Sequence, residues 1–321
     1  MVDKIDLNRL IYPLFVISGE GVREAISSMP GIYRFSPDIL VEEVDRLQSF
    51  GITKVLLFGV TKEKDEFGQS AHEEGNIIAS AVKLLKKQFP HIIIMTDVCL
   101  CAYTSHGHCG VLKTNAASID KIATLSALAK MAVSHASAGA DYVAPSAMTQ
   151  GQVLAIRQVL DKNGYKDTKI MGYSVKFASQ FYGPFREAAN SAPQFGDRRE
   201  YQIDCLDRDR ASKEVKDDIS EGADIVMIKP ALAYLDIIRE IRDSFAHTLA
   251  AYNVSGEYAM VKAGAQAGYW DEKKIVFEII NSIHRAGADL IITYHARDIA
   301  RWMKEKTNNE KTQLHKKHYA V

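Results

Sequence analysis

Three of the chain's four cysteines lie within eleven residues, in Asp97-Val98-Cys99-Leu100-Cys101-Ala102-Tyr103-Thr104-Ser105-His106-Gly107-His108-Cys109-Gly110. The spacing is C-x-C-x7-C, with two histidines and an aspartate interleaved. Thiolates so arranged can close on one Zn²⁺ and leave a fourth position open, as a catalytic zinc needs. Three sulfurs suit a borderline-soft ion better than Mg²⁺ or Ca²⁺. A set of small buried hydrophobes, or a disulfide pair, is the plainer alternative. Asp97 either orients a metal-bound water or pairs with a lysine.

Two lysines form the second constellation. Lys176 ends Tyr173-Ser174-Val175-Lys176, and Lys229 ends Ile225-Val226-Met227-Ile228-Lys229. Each closes an apolar run, where an ammonium is costly. Burial and a second nearby ammonium both lower a lysine's pKa, and a neutral amine can attack a ketone to form a Schiff base. Either lysine alone could equally snorkel to solvent. Downstream, Phe181-Tyr182-Gly183-Pro184-Phe185-Arg186 and Phe195-Gly196-Asp197-Arg198-Arg199 read as a long lid-like loop. Arg186 and Arg198 could clamp a carboxylate, whereas Arg199 reads as a solvated rim charge. Ser255 and Tyr294 are hydroxyls that could hold a second carboxylate, or be satisfied locally.

Eight short apolar runs must position these groups: 10–16, 54–60, 92–98, 141–146, 169–175, 224–229, 249–255 and 289–295. Most are continuous rather than alternating, as in parallel strands covered on both faces. Helical periodicity separates most of them, at 37–50, 73–89, 122–138, 212–221, 236–245 and 271–285. Ala138-Gly139-Ala140-Asp141, Glu221-Gly222-Ala223-Asp224 and Ala286-Gly287-Ala288-Asp289 each close a helix and open a strand. Repeated βα units of this number predict a single (β/α)8 barrel, with a doubly wound open sheet as the alternative. The expected organisation is a short N-terminal arm (1–9), a TIM barrel (10–303) and a polar C-terminal tail (304–321). In a barrel the chemistry sits at the C-terminal ends of the strands. Cys99, Cys101, Ser146, Lys176, Lys229, Ser255 and Tyr294 all fall there.

Composition narrows the partners. The 321 residues are 47% hydrophobic and 25% charged, with 40 basic and 40 acidic side chains. No basic stripe invites nucleic acid. No apolar run reaches the roughly 18 residues of a membrane span, and the N-terminus lacks a signal-peptide pattern. A reducing cytoplasm, which would keep the thiols free, is the expected compartment.

These motifs together resemble the porphobilinogen synthase (5-aminolevulinate dehydratase) family. The likeness runs from Leu10-Ile11-Tyr12-Pro13-Leu14-Phe15 and Met29-Pro30-Gly31 through 96–110, 176–189, 196–202 and 227–230 to Val254-Ser255-Gly256-Glu257-Tyr258. The resemblance implies a TIM barrel that condenses two 5-aminolevulinate molecules to porphobilinogen in tetrapyrrole (haem) biosynthesis, as a homo-oligomer built from dimers. It implies that Lys229 forms the Schiff base with the P-side substrate and Lys176 with the A-side substrate. Cys99, Cys101 and Cys109 match the catalytic zinc ligands. Arg186, Arg198 and Gln202 match the A-side carboxylate set, and Ser255 and Tyr294 the P-side set. Tyr182 and Tyr252 match pocket walls. Asp97 and Ser146 match polar groups around the lysines and the A-side substrate. One branch of the family has an allosteric Mg²⁺ site whose carboxylate Glu214 could match, but one Glu on a charged helix reads more simply as solvated.

The chain departs from the family pattern after the fourth strand. Ala-Pro-Ser-Asp-Met-Met-Asp-Gly-Arg is usual there; Ala147, Gln150 and Gln152 replace two carboxylates and an arginine. Ala231 stands where glycine usually follows Lys-Pro, 113–121 departs from the usual pattern, and the N-terminal arm is shorter by about one short helix. Porphobilinogen synthesis is the leading reading; the second, for which the Ala147 loop speaks, is a diverged paralogue with altered Schiff-base lyase or condensation activity. A non-catalytic protein that binds zinc or aminolevulinate is the third reading, and the intact lysines, cysteines and carboxylate sets argue against it.

Overall fold

The computed structural model describes residues 5–114 and 118–306. Eight parallel strands close into a barrel: β1 (Leu10–Ile17), β4 (Lys54–Val60), β5 (Ile93–Val98), β6 (Tyr142–Pro145), β7 (Lys169–Lys176), β8 (Ile225–Lys229), β9 (Leu249–Asn253) and β10 (Leu290–Thr293). Each pairs with the next, and β10 returns to β1 through Leu10↔Ile291 and Ile11↔Ile292. The (β/α)8 barrel is therefore closed, and the open sheet is excluded. Past the point where β10 ends, β1 pairs instead with β3 (Tyr33–Phe35), the inner strand of a small hairpin with β2 (Arg23–Ala25). That hairpin has no counterpart among the eight expected strands. Its three-residue strands are too short to show a period.

The expected helices are present as α1 (Pro37–Ser49), α2 (Ile77–Gln88), α3 (Lys121–Ser137), α6 (Arg208–Ser220), α7 (Leu235–Ser244) and α9 (Glu272–Ala286). Among the described residues four more are found: α4 (Gln152–Lys162), α5 (Gly183–Ala188), α8 (Ser255–Gln266) and a last helix at 296–306. Polar caps set several starts. Asn76, Asp120 and Asp271 accept from the backbone N–H groups of Ala79, Ala123 and Lys274. The cap at Asn76 is why α2 starts four residues later than its periodicity suggested.

The Gly-Ala-Asp repeat has a physical basis. Gly139, Gly222 and Gly287 take positive φ (102°, 101° and 127°), the turn that ends each helix. The aspartate that follows reaches sideways to the neighbouring strand. Asp141 accepts from Ile94 N–H (2.7 Å), Asp224 from Ile170 (2.8 Å) and Asp289 from Leu249 (2.9 Å). One short motif thus stops a helix and registers a strand pair at the N-terminal end of the barrel, leaving the opposite end for chemistry.

Residues 1–4 of the expected arm, 115–117 of the departing stretch 113–121 and 307–321 of the expected tail lie outside the described residues. Leu7–Arg9 forms one 3₁₀ turn before β1, and residues 296–306 are helical. Among the described residues no helix is long and apolar enough to cross a membrane.

Candidate active site

The two lysines are register partners: Lys176 on β7 lies directly opposite Lys229 on β8. The register of β7 shifts between Gly172 and Val175. In a regular strand Tyr173 and Lys176 would face opposite sides. The irregularity turns both to one side, where the lysine Nζ lies 5.7 Å from the tyrosine ring centre.

Both lysines are buried, at 6% and 5% exposure, but their surroundings differ. Lys176 Nζ donates to the Ser146 carbonyl at 2.6 Å. Lys229 Nζ sits among aromatic rings, 4.5 Å from the centre of Tyr252, 4.8 Å from Tyr182, 5.2 Å from Tyr173 and 5.6 Å from Phe185. Burial, reinforced by the Lys176 charge, pulls the Lys229 pKa down to about 7. A nucleophilic amine is therefore accessible at neutral pH. Asp97, at the end of β5, has one oxygen that is buried and unpaired. Burial pushes its pKa up to about 6, against the opposing pull of the Ser146 hydroxyl and the two lysine charges.

Cys99, Cys101 and Cys109 are all buried, with sulfurs within 4.8 Å of one another. All are free thiols, which disposes of the disulfide alternative. Hydrogen bonds from Cys101 and Cys99 hold the Cys109 thiol well below its ordinary pKa. Three convergent thiols, one of them disposed to ionise, are a donor set that fits a metal. The loop carrying them is fastened from several directions. His108 meets the Tyr201 hydroxyl (3.3 Å) and the Phe195 carbonyl (3.1 Å), and His106 meets the Glu66 carbonyl (3.2 Å). Gly107, at φ +71°, lies so close to the Ala192 carbonyl that a Cβ would collide with it.

Arg198, 4% exposed, joins the lid to this loop: its Nη2 donates to the carbonyls of Gly107 (2.9 Å) and Ser191 (2.5 Å). Its Nε, the Nε of Arg186 and the Nε2 of Gln202 are buried donors without partners. Burial and the Arg198 charge both lower the Arg186 pKa, so the two guanidiniums feel one another. Three unsatisfied donors grouped on the lid mark a place for an anion. Outside them a cleft of about 600 Å³, lined by Ile17, Val60, Lys62 and Arg186 among others, opens at the C-terminal ends of β1 and β4.

The other expected residues are distributed unevenly. Tyr252 and Tyr294 hydroxyls meet at 3.0 Å. Tyr182 donates to the carbonyls of Phe177 (2.8 Å) and Lys229 (3.1 Å), so only its ring is offered to the site. Ser255 lies at the start of α8, not in a strand. Its Oγ accepts from Phe185 N–H (3.0 Å) and donates to the Phe181 carbonyl (3.2 Å), which ties it to the lid backbone. Two contributors carried no earlier expectation as site residues. Tyr173 has a buried, unpartnered hydroxyl beside both lysines, and Phe185 covers Lys229. The strand irregularity that places Tyr173 has no signature in the chain, whereas Phe185 lay within the lid motif.

Ala147 is 2% exposed and packed in the core. Gln152 folds back to donate to the Pro145 carbonyl at 3.3 Å, and Gln150 with Gln152 lines a narrow cleft against Glu214, Asp217 and Asp218 of α6. Glu214 itself is paired with Arg210 (3.0 Å). Ala231 has φ −94° and ψ −53°, ordinary for any residue, so no glycine is required there. A second cluster, Glu272, His295 and Asp298, has its cation position filled by Lys262, which bonds Glu272 at 2.5 Å and Asp298 at 2.8 Å.

Comparison with known proteins adds an independent line. The family model for delta-aminolevulinic acid dehydratase matches residues 2–302. A delta-aminolevulinic acid dehydratase of Bacillus subtilis is 50% identical over 295 residues, 92% of this chain and 90% of its own. That of Methanothermus sociabilis is 53% identical over 290 residues, covering 90% and 89%. The crystal structure of the Toxoplasma gondii delta-aminolevulinic acid dehydratase (porphobilinogen synthase), in complex with the reaction product porphobilinogen, superposes with a TM-score of 0.92 at 42% identity, covering 94% of this chain and 86% of that one.

Proposed function

We propose that this chain, which belongs to the delta-aminolevulinic acid dehydratase (porphobilinogen synthase) family, condenses two molecules of 5-aminolevulinate into porphobilinogen with loss of water. The observation that carries the reading is the lysine pair: two buried amines, register partners on adjacent strands, each able to hold a ketone as its imine. Two imines side by side place both substrates for C–C and C–N bond formation, and the effective concentration so gained is a large part of the catalysis.

Lys229, disposed to be neutral near pH 7, captures the P-side substrate first. Tyr252, Tyr182 and Phe185 exclude water around it. The carboxylate of that substrate is read by Tyr294 and by Ser255, whose hydroxyl must first leave its lid partners. Lys176 takes the A-side substrate, whose carboxylate satisfies the free donors of Arg186, Arg198 and Gln202. Asp97, with its pKa near 6, accepts and returns protons at the two imines, and Ser146 orients it. Cys99, Cys101 and Cys109 would hold a Zn²⁺ ion. Bound there, zinc supplies Lewis-acid polarisation of a substrate oxygen or amine, or an activated water. Free thiols require a reducing compartment, so we place the protein in the cytoplasm. With the activity we also carry over the family's homo-oligomeric assembly from dimers.

The test is porphobilinogen formation from 5-aminolevulinate by purified protein, with added Zn²⁺ and then with a chelator. Product that appears with zinc and disappears on chelation is the expected result. A folded, zinc-loaded protein that makes none would overturn the reading.

A further inference from the structure

Glu257 lies in Val254-Ser255-Gly256-Glu257-Tyr258, and the proposed chemistry gives it no part. It is completely buried in the first turn of α8. Its Oε2 accepts from Val254 N–H (2.6 Å), which by itself would be a helix cap. The same carboxylate does more. Oε2 also accepts from Asn253 Nδ2 (3.1 Å), and Oε1 accepts from Leu232 N–H (2.6 Å) in the segment that follows Lys229. Asn253 Oδ1 in turn accepts from Thr293 Oγ1 (2.9 Å), which accepts from His295 N–H (3.2 Å). Glu257, Asn253 and Thr293 are all fully buried.

The hydrogen bonds therefore run in one chain across the C-terminal ends of three adjacent strands. Each end carries a group assigned above to the same substrate: Lys229 on β8, Tyr252 and Ser255 around the end of β9, and Tyr294 after β10. We infer that Glu257 is a positioning residue for the Lys229-side substrate. Through this chain it sets the distance between the amine that forms the imine and the hydroxyls that read the carboxylate. The inference rests on the reading of Lys229 as an imine-forming nucleophile.

The chemistry makes the residue type specific. The partners of the carboxylate are all N–H donors, so an ionised carboxylate is the form that satisfies them together. A glutamine must turn its NH₂ toward one donor or another, and an aspartate is one methylene too short to span the strand ends. Burial pushes the Glu257 pKa up to about 7, and these hydrogen bonds oppose that rise by favouring the ionised form.

The experiment compares Glu257→Gln with wild type, both zinc-loaded. It measures kcat and KM and traps imines with borohydride at limiting 5-aminolevulinate, reading the Lys229:Lys176 labelling ratio by peptide mass spectrometry. The expected result is a labelling ratio lowered about tenfold, with KM raised and Lys176 labelling unchanged, since a misplacement of about 1 Å costs up to about a hundredfold. A lowered Tm with an unchanged ratio would mean that Glu257 only holds the fold together, and would overturn the inference. Should Glu257→Gln fail to fold, Thr293→Val decides: it cuts the far end of the chain and leaves the charge in place. A ratio shift of the same sign upholds the inference, and an unchanged ratio overturns it. Wild type that neither makes porphobilinogen nor labels Lys229 sinks the proposed function and this inference with it. An active wild type with unmoved variants sinks the inference alone.

Discussion

Lys176 and Lys229 occupy matched positions on neighbouring strands, yet the site treats them differently. The Lys229 side is built from aromatic rings on strand ends and a short helix, with no carbonyl holding the amine. The Lys176 side is polar: a backbone carbonyl at 2.6 Å, and beyond it thiols, guanidiniums and the loops that carry them. Both amines are buried, but one sits among aromatic rings and the other is held by a carbonyl. In the function proposed above, identical residues on equivalent strands would take distinct roles, the order of reaction following from environment rather than residue type.

The comparison is broken most completely at the lysines themselves. Lys229→Met is expected to abolish product and the imine of the Lys229-side substrate, while Lys176 can still be labelled. Lys176→Met should abolish product yet leave a trappable imine on Lys229, which borohydride labelling would reveal. The same replacement of Lys229 should raise Tm at neutral pH. The folded-state pKa lies below its ordinary value of roughly 10.4. The folded protein therefore binds fewer protons than the unfolded chain between about pH 7 and that value. Stability is lost as pH falls through this window, and below it the cost is constant. A methionine carries no such cost, and a calorimetric scan of the two proteins decides the point.

Next in size is Asp97→Asn, expected to lower kcat by about 10²–10⁴. Losing the negative charge should also move Lys229 further down, so the acidic limb of the rate profile shifts to lower pH. In the wild type, kcat/KM should rise with pH through about 7, as Lys229 loses its proton, and level off above. A profile flat from pH 6 to 8 would contradict the asymmetry of the two amines. The smallest effect is expected from Ala147→Asp. Asp97 is already the carboxylate whose charge Lys229 feels. Steady-state activity should change by less than about tenfold, and a much larger gain would show that the usual carboxylate had been lost without replacement.

Much of this was readable along the chain. The cysteine spacing, the lysines that end apolar runs and the Gly-Ala-Asp repeats are local patterns, and local geometry gives them meaning. A closed barrel puts strand ends together, so counting strands was enough to gather the reactive residues at one mouth. The expected barrel followed from that count, and its strand order and register set Lys176 beside Lys229.

Other features needed the third dimension. Tyr173 faces the lysines because β7 loses its regular register between Gly172 and Val175, and alternation would place it outside. Ser255 begins a helix and is tied to the lid seventy residues earlier in the chain, which no local pattern encodes. Glu257 reads as a helix cap until Leu232 and Asn253 are found against it. The sequence by itself determined which chemical groups exist and at which strand ends they stand, since those depend on residue type and short-range period. Tertiary structure alone decided which lysine a carbonyl holds, which hydroxyls are already engaged and which carboxylate links three strands. Burial and hydrogen-bond partnership are properties of neighbours that the chain brings together only on folding.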